Sequence, residues 1–140
     1  MHFILEPEVA GGLGANTVMD RTSHPPQVMH LHYQFDGWLG DVLVESFPCF
    51  IVTHAAKEAL IAAAVTGVQF GDVEVSTSDQ FSEVCAGVVL PEFVRLEAVG
   101  RAGSDDFGVV KDGRLVVSER ALAVLQQFQL ANALVEPFVL

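Results

Sequence analysis

One pattern of apolar and polar positions occurs twice along the chain. Residues 50–52 are apolar and are followed by Thr53 and an alanine-rich segment, and residues 115–117 are followed by Ser118 and a segment rich in alanine, leucine and glutamine. Runs of β-branched residues favour strands. A hydroxyl side chain before a helix-prone segment favours an N-cap, because its oxygen accepts an amide hydrogen from the first helical turn. Each copy therefore predicts a strand, a cap and a helix.

The segments after the two caps predict the main helices, over about 54–66 and 119–129. Gly67 follows the first and Asn132 the second, and these residue types tolerate the left-handed backbone conformation that often ends a helix. An apolar stretch resumes after each, which indicates a return strand. The copies align without a gap at an offset of 65 residues. We therefore expect two equivalent strand–cap–helix–strand units, in each of which the strand and one helix face cover each other.

The N-terminal part of the chain favours strands separated by a long loop. Residues 2–5 predict a short opening strand, and residues 6–28 predict a loop, since they hold three prolines and the glycine-rich stretch 11–14. Residues 29–35 alternate between apolar and polar side chains and predict one strand. The apolar face of that strand carries Leu31, Tyr33 and Phe35.

Three further elements complete the expected fold. Ser78 predicts the cap of a short helix that ends at Val84. Asp112 and Gly113 lie between two β-rich arms and predict a hairpin with a type I′ turn. The C-terminal stretch predicts an edge strand, where Pro137 is tolerated because one row of amides stays unpaired at an edge.

The expected architecture is a single α+β domain, with a mostly antiparallel sheet on which the two main helices pack. Residues 1–35 are expected to supply the N-terminal strands and loop, and residues 36–140 the core with its two repeated units. The apolar fraction of 51% is sufficient for a buried core in a chain of this length.

The negative charge of the chain restricts its partners. The net charge is −11 at pH 7, and residues 1–100 carry −10 of it. Such a charge repels nucleic acid and anionic membrane surfaces, and it accelerates encounter with a basic partner. The sequence contains no long apolar span and no secretory signal pattern, so we expect a cytoplasmic protein. Cys49 and Cys85 are too few for a disulfide or zinc framework and predict buried side chains, and no cofactor is expected.

The two copies also carry a resemblance to a known family. The stretch "LVVSERALAVLQQFQL", preceded by "DDF" and "KDGRL", and the return "TGVQF" are similar to a bacterial family of small uncharacterised domains. That family is grouped with immunity proteins of polymorphic toxin systems, and the resemblance covers about residues 36–138. It implies a non-enzymatic protein that binds and blocks a toxin encoded nearby. The motifs concern capping and packing, so the resemblance assigns no catalytic residue.

An acidic surface suits the capture of a basic toxin, because complementary potentials steer and orient the encounter. Aromatic side chains are frequent anchors of such interfaces. The candidate partner-binding residues are Asp36, Trp38, Asp41, Glu45, Asp72, Glu74, Asp79 and Glu83.

Two alternative functions remain open. The first is a metal site, because His30 and His32 are two residues apart on the expected strand and Asp36 or His24 is able to complete the ligand set. The same histidines, together with the glycine-rich stretch, are also compatible with a small ligand-binding domain or enzyme. The second alternative is an oligomeric scaffold, in which the C-terminal edge strand pairs with another chain.

Other chemical motifs are incomplete. The stretch 11–14 lacks the lysine and hydroxyl residue that end a phosphate-binding loop. Asp105 and Asp106 lie in a loop beside glycine and serine and are expected to be solvated. Ser118 lacks the flanking glycines of a nucleophile elbow. The sequence therefore predicts neither an enzyme nor a metal site.

Overall fold

The computed structural model describes residues 1–139, and strands make up most of its regular structure. The elements in chain order are β1 (His2–Glu6), β2 (Gly11–Leu13), β3 (Val18–Asp20), β4 (Gln27–His30), β5 (His32–Phe35), β6 (Leu43–Ser46), β7 (Cys49–Thr53), α1 (His54–Ala62), β8 (Val68–Gly71), β9 (Glu74–Thr77), α2 (Asp79–Val84), β10 (Phe93–Ala98), β11 (Phe107–Val109), β12 (Leu115–Ser118), α3 (Glu119–Leu125) and β13 (Leu134–Pro137). The α+β class predicted from the sequence is confirmed. None of the helices described between residues 1 and 139 is long and apolar enough to cross a membrane.

The N-caps predicted for the two main helices are confirmed. Thr53 Oγ1 accepts a hydrogen bond from the amide of Ala56 at 3.3 Å, and Ser118 Oγ accepts one from the amide of Ala121 at 3.0 Å. Each cap residue is also the last residue of its strand and keeps an extended backbone. The strand therefore passes directly into the helix without an intervening loop, because the cap satisfies a free amide of the first turn.

In each repeated unit a helix connects two parallel strands of one sheet, and a third strand from another part of the chain lies between those two strands. In the first unit, β10 lies between β7 and β8 and is antiparallel to both. In the second unit, β1 lies between β12 and β13 and is antiparallel to both. A hairpin partner extends each sheet, so the strand orders are β6-β7-β10-β8 and β11-β12-β1-β13. The first strand of the chain therefore completes the second unit.

The registers of the two sheets preserve the 65-residue offset found in the sequence. The central strands place equivalent residues against the two copies: Leu96 lies opposite Phe50 and Phe70, and Leu5 lies opposite Leu115 and Val135. The offset therefore holds through the helices and into the return strands.

The first helical amide of each unit is anchored in the same way. The amide of His54 donates to the carbonyl of Glu92, and the amide of Glu119 donates to the carbonyl of Met1, both at 2.9 Å. Glu92 and Met1 are the residues that precede the inserted strands β10 and β1. The backbone thus repeats even where the side chains differ.

The two units share one hydrophobic core. The helices α1 and α3 pack against each other, and equivalent positions of both units are buried in this core, namely Leu43, Phe50, Val52, Ala56, Leu60 and Leu96 in the first unit and Phe107, Leu115, Val117, Ala121, Leu125 and Leu5 in the second. A second core lies between the other face of β6, β7 and β10 and the segments β4, β5 and α2. This second core positions the candidate site.

Both main helices are shorter than predicted. The helix α1, predicted over 54–66, ends at Ala62, and α3, predicted over 119–129, ends at Leu125. After α3 the chain continues in a tighter turn, in which the amide of Phe128 donates to the carbonyl of Leu125 at 3.1 Å. Phe128 still packs on the shared core, so the turn satisfies the apolar spacing that predicted a longer helix.

The residues that close the helices also differ from those predicted. Ala64 takes the left-handed conformation after α1, with a φ of 53°. The amide of Val65 donates to the carbonyl of Leu60 at 3.4 Å and closes a Schellman motif. Gly67 has a positive φ of 79° but lies beyond this motif, and Asn132 does not have a positive φ.

The prediction of a loop over 6–28 is wrong, because this stretch contains β2, β3 and the start of β4. Glycine permits β2 to pair with β5, since a Cβ atom at Gly11 would lie 1.9 Å from the carbonyl oxygen of Gln34. The single strand predicted over 29–35 is interrupted after His30, and β4 and β5 belong to different sheets. Its alternation is confirmed, because the buried face carries Leu31, Tyr33 and Phe35.

The smaller elements follow the predictions with two exceptions. The helix α2, the hairpin β11–β12 and the edge strand β13 with Pro137 are present as predicted. The hairpin turn is not of type I′, because Gly113 has a positive φ and Asp112 does not. Cys49 is buried as predicted, whereas Cys85 is half-buried behind α2. The strands β5 and β9 pair in parallel, whereas the other pairs of named strands are antiparallel.

Candidate partner-binding face

The short helix α2 lies at the centre of the candidate site. Ser78 Oγ accepts a hydrogen bond from the amide of Phe81 at 3.2 Å and so caps the helix. Phe81 is buried edge-on against Phe35, with ring centroids 6.5 Å apart, and this contact holds α2 on the second core. The other side chains of the helix that reach solvent are Asp79, Gln80, Ser82, Glu83 and Val84.

One groove runs between α2 and the free edge of β9, and we call it the strand groove. Its volume is about 580 Å³. It is lined by Val75, Ser76, Thr77, Phe81, Ser82 and Cys85, together with Ala86, Gly87, Val88 and Leu90 from the segment after α2. The lining combines apolar side chains with hydroxyl groups, so the groove presents an apolar surface beside hydrogen-bonding positions.

A second groove lies on the other side of α2, and we call it the loop groove. Its volume is about 390 Å³, and Val9, Asp36, Leu39, Gln80 and Val84 contribute to its lining. Val9 and Leu39 are each 67% exposed, and Val84 is 63% exposed. Exposed apolar side chains that cluster beside carboxylates are typical of protein interfaces. The helix α2 lines both grooves and therefore separates them.

The structure brings five of the predicted acids to this region. Asp36 lines the loop groove, and Asp79 and Glu83 are exposed on α2. Asp72 is exposed just before β9, and Glu74 is half-exposed at the start of that strand. We call α2, its two grooves and these five carboxylates the α2 face.

Basic side chains do not neutralise the α2 face. Between residues 1 and 139, Lys and Arg form ion pairs only with Glu97, Asp106 and Asp112, which lie outside it. Glu74 is the one carboxylate of the face with an ion-pair partner in this range, through His30 at 3.0 Å and His32 at 3.9 Å. The face therefore keeps a negative potential.

Trp38 belongs to the wall of the loop groove and does not project from it. Its Nε1 atom donates to the carbonyl of Asp41 at 2.9 Å, and its ring lies edge-on to Phe93 with centroids 5.9 Å apart. The projecting apolar side chains are Leu39 and Val9, which the sequence reasoning missed. A single exposed apolar side chain forms no periodic pattern in the sequence, so no local signal marked either residue.

The prediction that Asp41 contacts a partner is wrong, because Asp41 is fully buried. Its carboxylate accepts hydrogen bonds from the amides of Ala131 and Asn132 at 3.0 and 2.8 Å, and from the side chain of Gln129 at 3.2 Å. A buried carboxylate needs such donors to offset its lost hydration. Asp41 therefore ties the segment after α3 to the turn that follows β5.

Glu45 lies in a third groove, of about 510 Å³, together with Glu6 and Glu8. Leu39 lines both this groove and the loop groove. Burial, and then the charge of Glu6, raise the pKa of Glu45 to about 7. Burial also raises the pKa of Glu8, whose carboxylate accepts a hydrogen bond from the amide of Leu39 at 2.7 Å. Glu45 and Glu8 therefore retain their protons at a higher pH than exposed glutamates do.

The two histidines do not form the pair that the sequence suggested. His30 Nε2 lies 3.0 Å from Glu74, whereas His32 is buried, with Nε2 2.7 Å from Ser76 Oγ and Nδ1 accepting the amide of Asn16 at 3.2 Å. Residues 1–139 contain no group of three or more histidine, cysteine, aspartate or glutamate side chains placed to hold a metal ion.

Ser76 and His32 form a serine–histidine pair beside the strand groove, but its protonation does not suit nucleophilic catalysis. Because Nδ1 of His32 accepts the amide hydrogen of Asn16, the neutral ring carries its own proton on Nε2, which donates to Ser76. A general base needs the nitrogen next to the serine free to accept its proton. The pair therefore positions β9 against β5.

Asp106 is not a solvated loop acid, contrary to the prediction. It is buried and accepts hydrogen bonds from Ser118 Oγ at 2.6 Å, from the amide of Thr66 at 2.8 Å, and from the guanidinium of Arg120. Burial alone would raise its pKa, but the hydrogen bonds from Arg120, Ser118 and Thr66 outweigh it and lower the pKa of Asp106 to about 2. Asp106 is therefore a fixed anion within the fold.

No family model matches the chain, and no curated protein matches it. The resemblance to immunity-type domains therefore rests on the sequence stretches quoted above, and the α2 face rests on its own geometry.

Proposed function

We propose that this chain is a non-enzymatic binding protein, an immunity-type inhibitor that neutralises a bacterial toxin by binding it at the α2 face. The observation that carries the proposal is the clustering of exposed apolar side chains with unneutralised carboxylates on one short helix and in the groove beside it, namely Val9, Leu39 and Val84 with Asp36, Asp79 and Glu83. Interfaces commonly combine a small apolar centre with a polar rim.

The charge of the face selects the partner. A chain of net charge −11 accelerates encounter with a basic protein and disfavours encounter with nucleic acid or an anionic membrane. Toxins that act on nucleic acids present basic surfaces for their substrate, and carboxylates on an inhibitor are able to take the place of its phosphates. We infer that the partner is a basic toxin met in the cytoplasm.

The non-enzymatic part of the proposal rests on the surroundings of the side chains. The hydroxyl of Ser76 is beside the strand groove, but the ring of His32 is held in the tautomer that donates to it. Asp106 is occupied by Ser118, Thr66 and Arg120. These groups serve the packing of the fold, and the surface left for function is one that suits binding.

Co-expression tests the proposal directly. The probe is the product of a toxin-like reading frame adjacent to the gene, expressed alone or together with this chain in a laboratory bacterium. Wild-type chain is expected to restore growth. The double variant Asp79→Lys/Glu83→Lys is expected to restore none, because it reverses the charge of α2 without touching a buried side chain.

A matched control separates the site from the overall charge. The double variant Glu58→Lys/Glu136→Lys makes the same change in net charge at exposed carboxylates on α1 and β13, and it is expected to restore growth as wild type does. Failure of the wild-type chain to restore growth would contradict the immunity function. Equal rescue by both double variants would contradict the α2 face as its site.

A further inference from the structure

The strand β9 has an unpaired edge that borders the strand groove. It is the last strand of the sheet β2-β5-β9, and within residues 1–139 it pairs only with β5. The amide of Glu74 donates to the carbonyl of Leu31, just before β5, and the amide of Ser78 donates to that of Phe35, the last residue of β5, both at 2.9 Å. Because alternate residues of a strand bond to the same neighbour, the main-chain groups of Val75 and Thr77 point away from β5. These groups are available to a further strand.

The side chains beside this edge give an added strand two different faces. Val75 and Thr77 lie opposite Tyr33 and Phe35 and share their side of the sheet, on which Phe81 anchors α2. The strand groove is therefore on that side. The intervening residues of β9 point to the opposite side of the sheet, since side chains alternate along a strand.

We propose that the strand groove binds an extended segment of the partner protein as an additional strand along β9. The inference rests on the proposed function and specifies the form in which the toxin is recognised. Alternate side chains of the segment are aliphatic and enter the groove beside Phe81 and Leu90, and the intervening side chains are lysine or arginine. The occupant is basic because its intervening side chains lie on the side of the sheet that carries Glu74, and because Asp72 and Asp79 are exposed two residues before and two residues after β9. A second copy of this chain is disfavoured by its own net charge of −11.

Strand addition supplies affinity through main-chain hydrogen bonds and specificity through pockets for alternate side chains. The probe for the test is therefore a short synthetic peptide of alternating valine and lysine, with a second peptide in which the amides that face β9 are N-methylated. The first peptide is expected to bind saturably and to slow hydrogen exchange at the amides of Val75 and Thr77. N-Methylation is expected to weaken binding by about tenfold or more, because it removes the ladder and keeps the charge.

Two variants of the full chain repeat the test from the other side. Val75→Pro removes the amide that points away from β5 and leaves the hydrogen bonds to β5 intact. Proline is tolerated at such an edge position, so the variant is expected to fold. It is expected to weaken binding of the unmodified peptide by a similar factor. Val75→Thr keeps the amide and the β propensity and is expected to bind within about twofold of wild type.

The outcomes separate this inference from the proposed function. Absence of saturable binding, or binding without protection of Val75 and Thr77, would overturn strand addition. Equal binding of the methylated and unmethylated peptides would also overturn strand addition. In that case the variant Asp79→Lys/Glu83→Lys decides whether the acidic α2 face is the binding site. Weaker peptide binding by this variant would support the α2 face, and unchanged binding would contradict it. The growth rescue described above tests the immunity function independently of these peptides.

Discussion

Ser118 and Asp106 are joined by a 2.6 Å hydrogen bond from the serine hydroxyl to the aspartate carboxylate, and both residues belong to the second repeated unit. The same carboxylate accepts the amide of Thr66, which follows the helix of the first unit. Arg120, at the start of the second helix, donates both to Asp106 and to the carbonyl of Ala63 at the end of the first. The beginning of one helix and the end of the other therefore share one buried anion.

The two caps are expected to differ in their contribution to stability. Thr53→Ala removes a cap alone, and we expect it to lower the free energy of unfolding by about 1 kcal/mol. Ser118→Ala removes a cap and a charge-assisted hydrogen bond to Asp106, and we expect a loss of about 2–3 kcal/mol. Urea unfolding of the two variants measures both values. Equal losses would show that Asp106 does not depend on Ser118.

The end of α1 offers a stabilising substitution. Ala64 has a φ of 53°, a conformation that glycine adopts without the strain that a Cβ atom brings, so Ala64→Gly is expected to stabilise the protein by about 1 kcal/mol. Gly67→Ala is expected to do the opposite, since its Cβ would lie 2.4 Å from the carbonyl oxygen of Phe107. Thermal unfolding compares the two. A lower melting temperature for Ala64→Gly would reject the Schellman motif as the end of this helix.

Asp41 is expected to be a stability residue. Asp41→Ala leaves the amides of Ala131 and Asn132 without their acceptor, and we expect a loss of about 3 kcal/mol together with faster hydrogen exchange at both amides. Asp36→Asn makes the same change in charge at a half-exposed position and is expected to alter stability by less than about 0.5 kcal/mol. Similar stabilities for the two variants would contradict the tie between Asp41 and the segment after α3.

Glu45 is expected to make stability depend on pH near neutrality. Its pKa is about 7 in the folded chain, whereas an unfolded glutamate has a pKa of about 4.3, so the folded state binds the proton more tightly. The stabilisation that this provides is complete below about pH 4 and is lost as the pH rises through about 7. Glu45→Gln should therefore be more stable than wild type at pH 8, and the advantage should shrink toward pH 5. Urea unfolding at several pH values checks this, and a constant difference between the two proteins would refute it.

Local signals in the sequence were sufficient for the features that depend on neighbouring residues. Thr53, Ser78 and Ser118 cap helices as predicted, because a cap needs only its own hydroxyl and the next three residues. The alternation around Tyr33 also placed the correct face in the core. The repeat was visible in the sequence because both copies place apolar residues at equivalent buried positions of the strand and the helix.

Features that depend on contacts between residues far apart in the chain could not be predicted from local sequence signals. The helix α1 stops at Ala62, although alanine continues, and the carbonyl groups beyond it are bound by Arg120 from α3. The strand β2 reads as a glycine-rich loop, yet Gly11 is needed for close approach to β5. Asp41 and Asp79 have the same chemistry, but one is buried by donors far along the chain and the other is exposed.

The acids of α2 follow from local sequence, whereas the grooves beside the helix depend on distant contacts. The exposure of Asp79 and Glu83 follows from a short capped helix with one apolar anchor, and both were predicted as contact residues. Leu39 and Val9 were missed because an exposed apolar side chain leaves no local pattern. The two grooves form only because α2 packs between segments that are far apart in the sequence.

The rate at which this chain associates with the toxin proposed as its partner tests the central claim most directly. The association rate constant, measured by stopped flow at low and at high salt, is expected to fall steeply with salt for wild type. Asp79→Lys/Glu83→Lys is expected to associate at least about tenfold more slowly at low salt and to lose most of the salt dependence, whereas Glu58→Lys/Glu136→Lys should stay close to wild type. Equal rates for the two double variants would contradict the assignment of binding to the α2 face.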